Sequence, residues 1–178
     1  MILVDAVRRV PRTFARFLAI TGLSLAATFA EAPAAAAQEG MEVIQQMFSD
    51  PALASYRLTD ANLDKFRAAT QALHALEGEN LDIEDRFDGE NPQNMNIGYI
   101  ASAFESEPRI KSAINGAGMT TRDYVTFLFS SMQAMIGWAM MQMGGEQAFA
   151  EMPAGVLKQN IEFIRENQEA FESLDIGR

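Results

Sequence analysis

Cysteine is absent from this chain, and histidine and tryptophan occur once each among its 178 residues. Without cysteine there is no disulfide, no thiol nucleophile, no thiolate-ligated zinc and no iron–sulfur centre. A serine–histidine–aspartate arrangement would have to use His74, and no Gly-x-Ser-x-Gly elbow is present to carry its serine. Basic residues are also scarce: 14 lysines and arginines stand against 24 acids, a formal charge of −10. Such a surface repels phosphate backbones and anionic lipid headgroups, so nucleic acid is not an expected partner. Gly116-Ala117-Gly118 lacks the third glycine, or the Gly-Lys-Ser/Thr, of a phosphate cradle. Strand signals are missing as well, because no sustained polar–apolar alternation occurs and no turn dipeptide separates two β-branched runs.

What is present is hydrophobic and helical. The chain is 48% hydrophobic, which excludes a long disordered polymer and suits one domain of ordinary size. Residues 1–37 differ from the rest. Arg8, Arg9, Arg12 and Arg16 precede an apolar run over 17–29, too short to cross a bilayer as a helix. Ala34-Ala35-Ala36-Ala37 follows, then Gln38. A basic start, a short apolar middle and an Ala-x-Ala end describe a secretory signal peptide, with cleavage expected after Ala37. Pro11 and several further residues separate Arg8-Arg9 from the apolar run, which favours general secretion over the twin-arginine route. The expected location is therefore periplasmic or extracellular. Removing this segment takes away four arginines and only Asp5 and Glu31, which leaves the remainder more acidic still.

From residue 38 onward the expectation is one all-α domain, a bundle of four or five helices around a central apolar helix at about 120–143. Residues 41–48 can form one or two turns ahead of Asp50-Pro51. Thr59 caps a helix whose stripe is Leu63, Phe66, Thr70, Leu73 and Leu76, with Leu58 stapled on Leu63 and Gly78 as its stop. Residues 79–96 read as an acidic loop. Tyr99, Ile100, Ala103 and Phe104 mark a short helix before Pro108, and Pro108 opens another with Ile110, Ala113, Ile114 and Ala117 on one side. Thr120 and Asp123 form a capping box for the central helix, which should end at Gly144-Gly145. A last helix begins near Pro153, with Leu157, Ile161, Ile164, Gln168 and Phe171 along its apolar stripe.

Between Asp123 and Glu146 no residue is charged, a run long enough to span a membrane. Thr126, Ser130, Gln133 and Gly137 nevertheless gather on one narrow stripe, with apolar residues around most of the remaining circumference. That pattern fits the centre of a soluble bundle, with a small-residue groove where another helix can approach, better than a membrane span or a self-association surface. Met132, Met135, Met140, Met141 and Met143 could offer thioethers to Cu(I), but no histidine or cysteine joins them, and flexible methionines commonly fill core gaps. The acids Asp82, Glu84, Asp85, Asp88 and Glu90 invite a calcium reading, yet aligning Gly89 on the EF-hand glycine puts Arg86 at a ligand position. No pair among the many carboxylates is nominated for glycoside hydrolysis. No residue is accordingly assigned a catalytic, cofactor-binding or metal-binding role.

The stretches 58–66 and 107–125 together resemble a group of small exported bacterial proteins without an assigned function. Their pattern is a leucine–threonine-opened helix, a proline-started short helix, an alanine–glycine turn and a threonine-capped helix carrying arginine, acid and tyrosine. The resemblance implies an exported helical protein and no catalytic residues. Arg122, Asp123 and Tyr124 are the candidate recognition residues; the competing reading makes them a structural corner pinned by the tyrosine ring and hydroxyl. The function expected is non-enzymatic, through contact with an envelope or secreted protein. The alternatives are a carrier of a small apolar ligand or soft metal ion, which needs a cavity lined by 120–143, and a carboxylate-based hydrolase.

Overall fold

A computed structural model describes residues 49–76 and 96–174. The expected signal peptide, the turns over 41–48, the Gly78 stop and the acidic stretch up to Met95 lie outside them. Among the described residues the fold is all-α, with seven helices: α1 (Pro51–Ser55), α2 (Asp60–His74), α3 (Ile97–Ser106), α4 (Pro108–Gly116), α5 (Thr121–Glu151), α6 (Val156–Glu166) and α7 (Gln168–Glu172). α5 is the hub, packed most extensively against α6 and α3, and also touching α1, α2 and α4.

Local chemistry explains most of the boundaries. Asp50 caps α1 by accepting the Ala52 N–H at 2.9 Å, with Pro51 in the first turn where its missing N–H costs nothing. At α2, Thr59 Oγ1 accepts the Asn62 N–H and Asn62 Oδ1 accepts the Thr59 N–H at 2.7 Å, a reciprocal box with asparagine in the usual glutamate place. Asn96 opens α3 by accepting the Tyr99 N–H. Glu107 then ends α3 and caps α4, its carboxylate accepting the Arg109 N–H.

Two expected boundaries are corrected. The central helix does not stop at Gly144-Gly145 but continues to Glu151. Glycine in a helix interior costs only about 1 kcal/mol against alanine, and the helix ends instead just before Pro153, whose ring disfavours helical backbone at Met152. The last helix is two helices, beginning at Val156 rather than near Pro153 and interrupted at Asn167. The Asn167 side chain donates to the Phe163 carbonyl at 3.0 Å, in competition with the regular backbone pattern.

The core is aromatic at its centre. The Phe66 ring stacks on Tyr124 (centroids 4.7 Å apart) and on Phe127 (4.5 Å), and Phe127 also faces Phe171 and the edge of Tyr56. Ile97, Ile100, Ile110, Ile114, Val125 and Ile161 complete the buried apolar shell. Polar residues are buried as well. Asn160 on α6 is buried, accepts the Leu58 N–H at 2.9 Å and donates to the Tyr56 carbonyl at 2.9 Å. It thus satisfies a buried N–H and a partly buried carbonyl of the extended link between α1 and α2. No helix among the described residues is long and apolar enough to cross a membrane.

Candidate functional site

The candidate sites are the corner between α4 and α5, the outer part of the α5–α6 pair, and a cavity beside α2. The corner is built from backbone geometry. Gly118 takes φ +80°, its N–H donates to the Asn115 carbonyl, and the Met119 N–H donates to the Ile114 carbonyl. These two bonds form a Schellman turn that satisfies the last carbonyls of α4, and the left-handed residue is the one where glycine carries no steric penalty. Met119 and Ile114, both buried, supply its usual apolar contact. The chain then enters α5 through a second reciprocal box: the Asp123 N–H donates to Thr120 Oγ1 at 3.0 Å, and the Thr120 N–H and hydroxyl both donate to Asp123 Oδ2. Within that box, Thr121 donates to Glu105 Oε2 at 2.7 Å, and Lys111 pairs with the same carboxylate. Lys111 first and Thr121 second hold the Glu105 carboxyl below its ordinary range.

The three recognition candidates fall in different settings. Tyr124 is buried, its ring on Phe66 and its hydroxyl 3.2 Å from Thr70 Oγ1. Burial pushes its phenol up to about 12, against the opposing effect of the Thr70 bond. Asp123 is exposed but engaged in the box that starts α5, and Arg122 is exposed beside it. Only Arg122 and Asp123 therefore reach solvent. Nearby, Tyr56 is half-buried and its phenol is likewise raised to about 12, by burial first and by the Asp123 carboxylate second.

Further along α5 the surroundings thin out. Met132 and Ala134 are buried, Met135 and Trp138 are partly covered, and Ile136 is 39% exposed. Leu157, near the start of the adjoining α6, is 38% exposed. The two helices approach closely at Gly137, where an added Cβ would sit 2.7 Å from Ile161 Cδ1. The small-residue stripe thus serves at this point as a seat for a neighbouring helix. Elsewhere on it, Thr126 donates to the Arg122 carbonyl, and the fully buried Ser130 hydroxyl has no hydrogen-bond partner among the described residues. Among the methionines, Met132 and Met141 are buried in the core. No group of three or more histidine, aspartate or glutamate residues is placed to hold a metal ion among the described residues.

The cavity measures about 260 Å³ and is lined by Arg67, Thr70, Gln71, His74, Ser173 and Leu174. It lies between one stripe of α2 and the turn after α7, and none of these six residues lies on α5, which a carrier cavity was expected to use. Two signals for these places could be read in the sequence: positions 67, 70, 71 and 74 have the spacing of one helix face, and Gly137 lies on the small stripe. The opposing wall at Ser173 could not be read, because nothing local states that residue 173 returns to α2. Comparison with protein-family models, with curated proteins and with solved structures finds no match to this chain.

Proposed function

We propose that the protein is exported by the general secretion route and acts in the periplasm or outside the cell, without catalysis, through contact with another protein of the envelope or secreted space. Support for export comes from residues 1–37 and from the resemblance of the 58–66 and 107–125 stretches to exported helical proteins. The observation that carries the contact reading is the apolar surface of α5 and α6. Ile136 and Leu157 stand out of the core on two helices that pack against each other, with Met135 and Trp138 only partly covered between the core and solvent. Aromatic residues and methionine are favoured at the centres of protein interfaces, while single exposed leucines elsewhere carry no such meaning.

The test uses a photo-crosslinking residue placed singly at 136, 157 and, as a control on the charged side of α6, at 166. Expressed with the full chain in intact cells, positions 136 and 157 should give one common adduct with an envelope or secreted protein, and position 166 should not. Mass spectrometry of the exported form should find Gln38 or a close neighbour at its N-terminus. An intact Met1, or equal labelling at all three positions, would overturn the reading.

A further inference from the structure

Beyond the contact surface, the cavity beside α2 carries the most unused chemistry. Arg67, Thr70, Gln71 and His74 recur along α2 at steps of three and four, so one face of the helix presents them together. Ser173 and Leu174 form the opposite wall. The volume of about 260 Å³ falls just below the ~300–1,000 Å³ of sites for drug-sized ligands. It therefore suits a molecule of metabolite size.

The lining is chemically selective. Arg67 brings a planar guanidinium, whose paired N–H groups match the two oxygens of a carboxylate. Gln71 adds amide donors and His74 an imidazole. The Ser173 hydroxyl already donates to the Ala170 carbonyl at 2.7 Å, so what its oxygen offers a guest is acceptor capacity. Thr70 on the inner wall is held from the core side by its bond with the Tyr124 hydroxyl. No described acidic side chain lines the cavity, although the chain as a whole has a formal charge of −10. An anion repelled by most of the surface thus meets a cation here.

We infer that this cavity binds a small organic carboxylate that also carries a hydroxyl or amino group. The carboxylate pairs with Arg67 beside Gln71 and His74, and the hydroxyl or amine donates to Ser173 Oγ. Leu174 covers the carbon skeleton. This site is separate from Ile136 and Leu157 and does not rest on the contact reading above.

The experiment is a nuclear magnetic resonance titration of the full chain with malate, with succinate and inorganic phosphate as comparators. Malate should shift the backbone signals of residues 67–74 and 173–174 saturably at millimolar concentration or below. Succinate, which lacks the hydroxyl, should bind several-fold more weakly, and phosphate more weakly still. Arg67→Ala should reduce malate affinity about tenfold or more, as expected for loss of a charge-assisted bidentate pair. Its melting temperature should not change, because Arg67 is exposed. Gln71→Ala, also at an exposed position, gives a second and smaller loss. The inference is overturned by any one of three results: no saturable shift at millimolar malate, malate binding unchanged in Arg67→Ala, or phosphate binding as tightly as malate.

Discussion

Residues 124–134 and 135–142 are consecutive stretches of one helix, equally free of charge, yet their surroundings differ. In the first, every residue except Gln133 is buried; in the second, Ile136, Ala139 and Gln142 are exposed. The ring contacts of the first stretch reach α2, α3 and α7, whereas the close approach of the second, at Gly137, is to α6. A helix without charges is therefore not a helix buried throughout. What decides burial is how many neighbours arrive, and the uncharged run itself does not encode that number. The second stretch is where α5 leaves apolar surface open to solvent, at Ile136 above all.

The contrast can be broken from the buried side first. Phe127→Ala removes a ring fully enclosed by Phe66, Phe171 and Tyr56 and should cost about 3–5 kcal/mol, read by denaturant unfolding. A loss below about 1 kcal/mol would mean that the first stretch is not core. Gly137→Val tests the seat on α6. The new side chain meets Ile161, and the expected loss is about 2 kcal/mol, with Ile161→Ala in the same chain recovering part of it. Strict additivity of the two changes would deny the contact.

The two raised phenols give a smaller effect that depends on pH. Tyr124 and Tyr56 ionise near the ordinary value of 10.0 when unfolded and at about 12 when folded. The stability this contributes is complete below about pH 10 and is lost as pH rises toward 12. Tyr124→Phe should remove its share of that alkaline loss and leave the Tyr56 share, while costing about 1 kcal/mol at neutral pH through the missing bond to Thr70. An unchanged alkaline profile would place the ionising groups elsewhere. At the exposed end, Ile136→Ser should alter stability by less than about 0.5 kcal/mol, while abolishing the crosslinked adduct expected at 157. A large destabilisation there would turn the second stretch into core as well.

The corner and the cap residues were legible because their information is local. Thr59, Thr120, Asp123, Pro108 and the Gly116–Gly118 turn act within a few residues of where they stand, and all serve the expected elements. The stripe Leu63, Phe66, Thr70 and Leu73 was readable for the same reason: helical period alone places these residues on one side. Asn160 was not readable. On sequence it is an ordinary polar residue of an amphipathic helix, and only the arrival of the link at 56–58 makes it a buried clamp. The end of α5 is not legible in the sequence, because two adjacent glycines weaken a helix without forcing a left-handed turn. Within the candidate sites, the α2 face of the cavity could be read and its far wall could not. Tyr124 was recognised as special, and its burial separates it from its exposed neighbours Arg122 and Asp123.

The Asn160 clamp has a consequence for the order of assembly. It joins positions 102 and 104 residues apart, so the segment that leads into α2 waits for a helix made much later. A nascent chain interrupted before α6 would leave the Leu58 amide unsatisfied and Gly137 without its Ile161 neighbour. Closing so long a loop is slow compared with forming the helices it joins. The link between α1 and α2 is thus locked in place only once α6 has arrived, and the lock is a carboxamide.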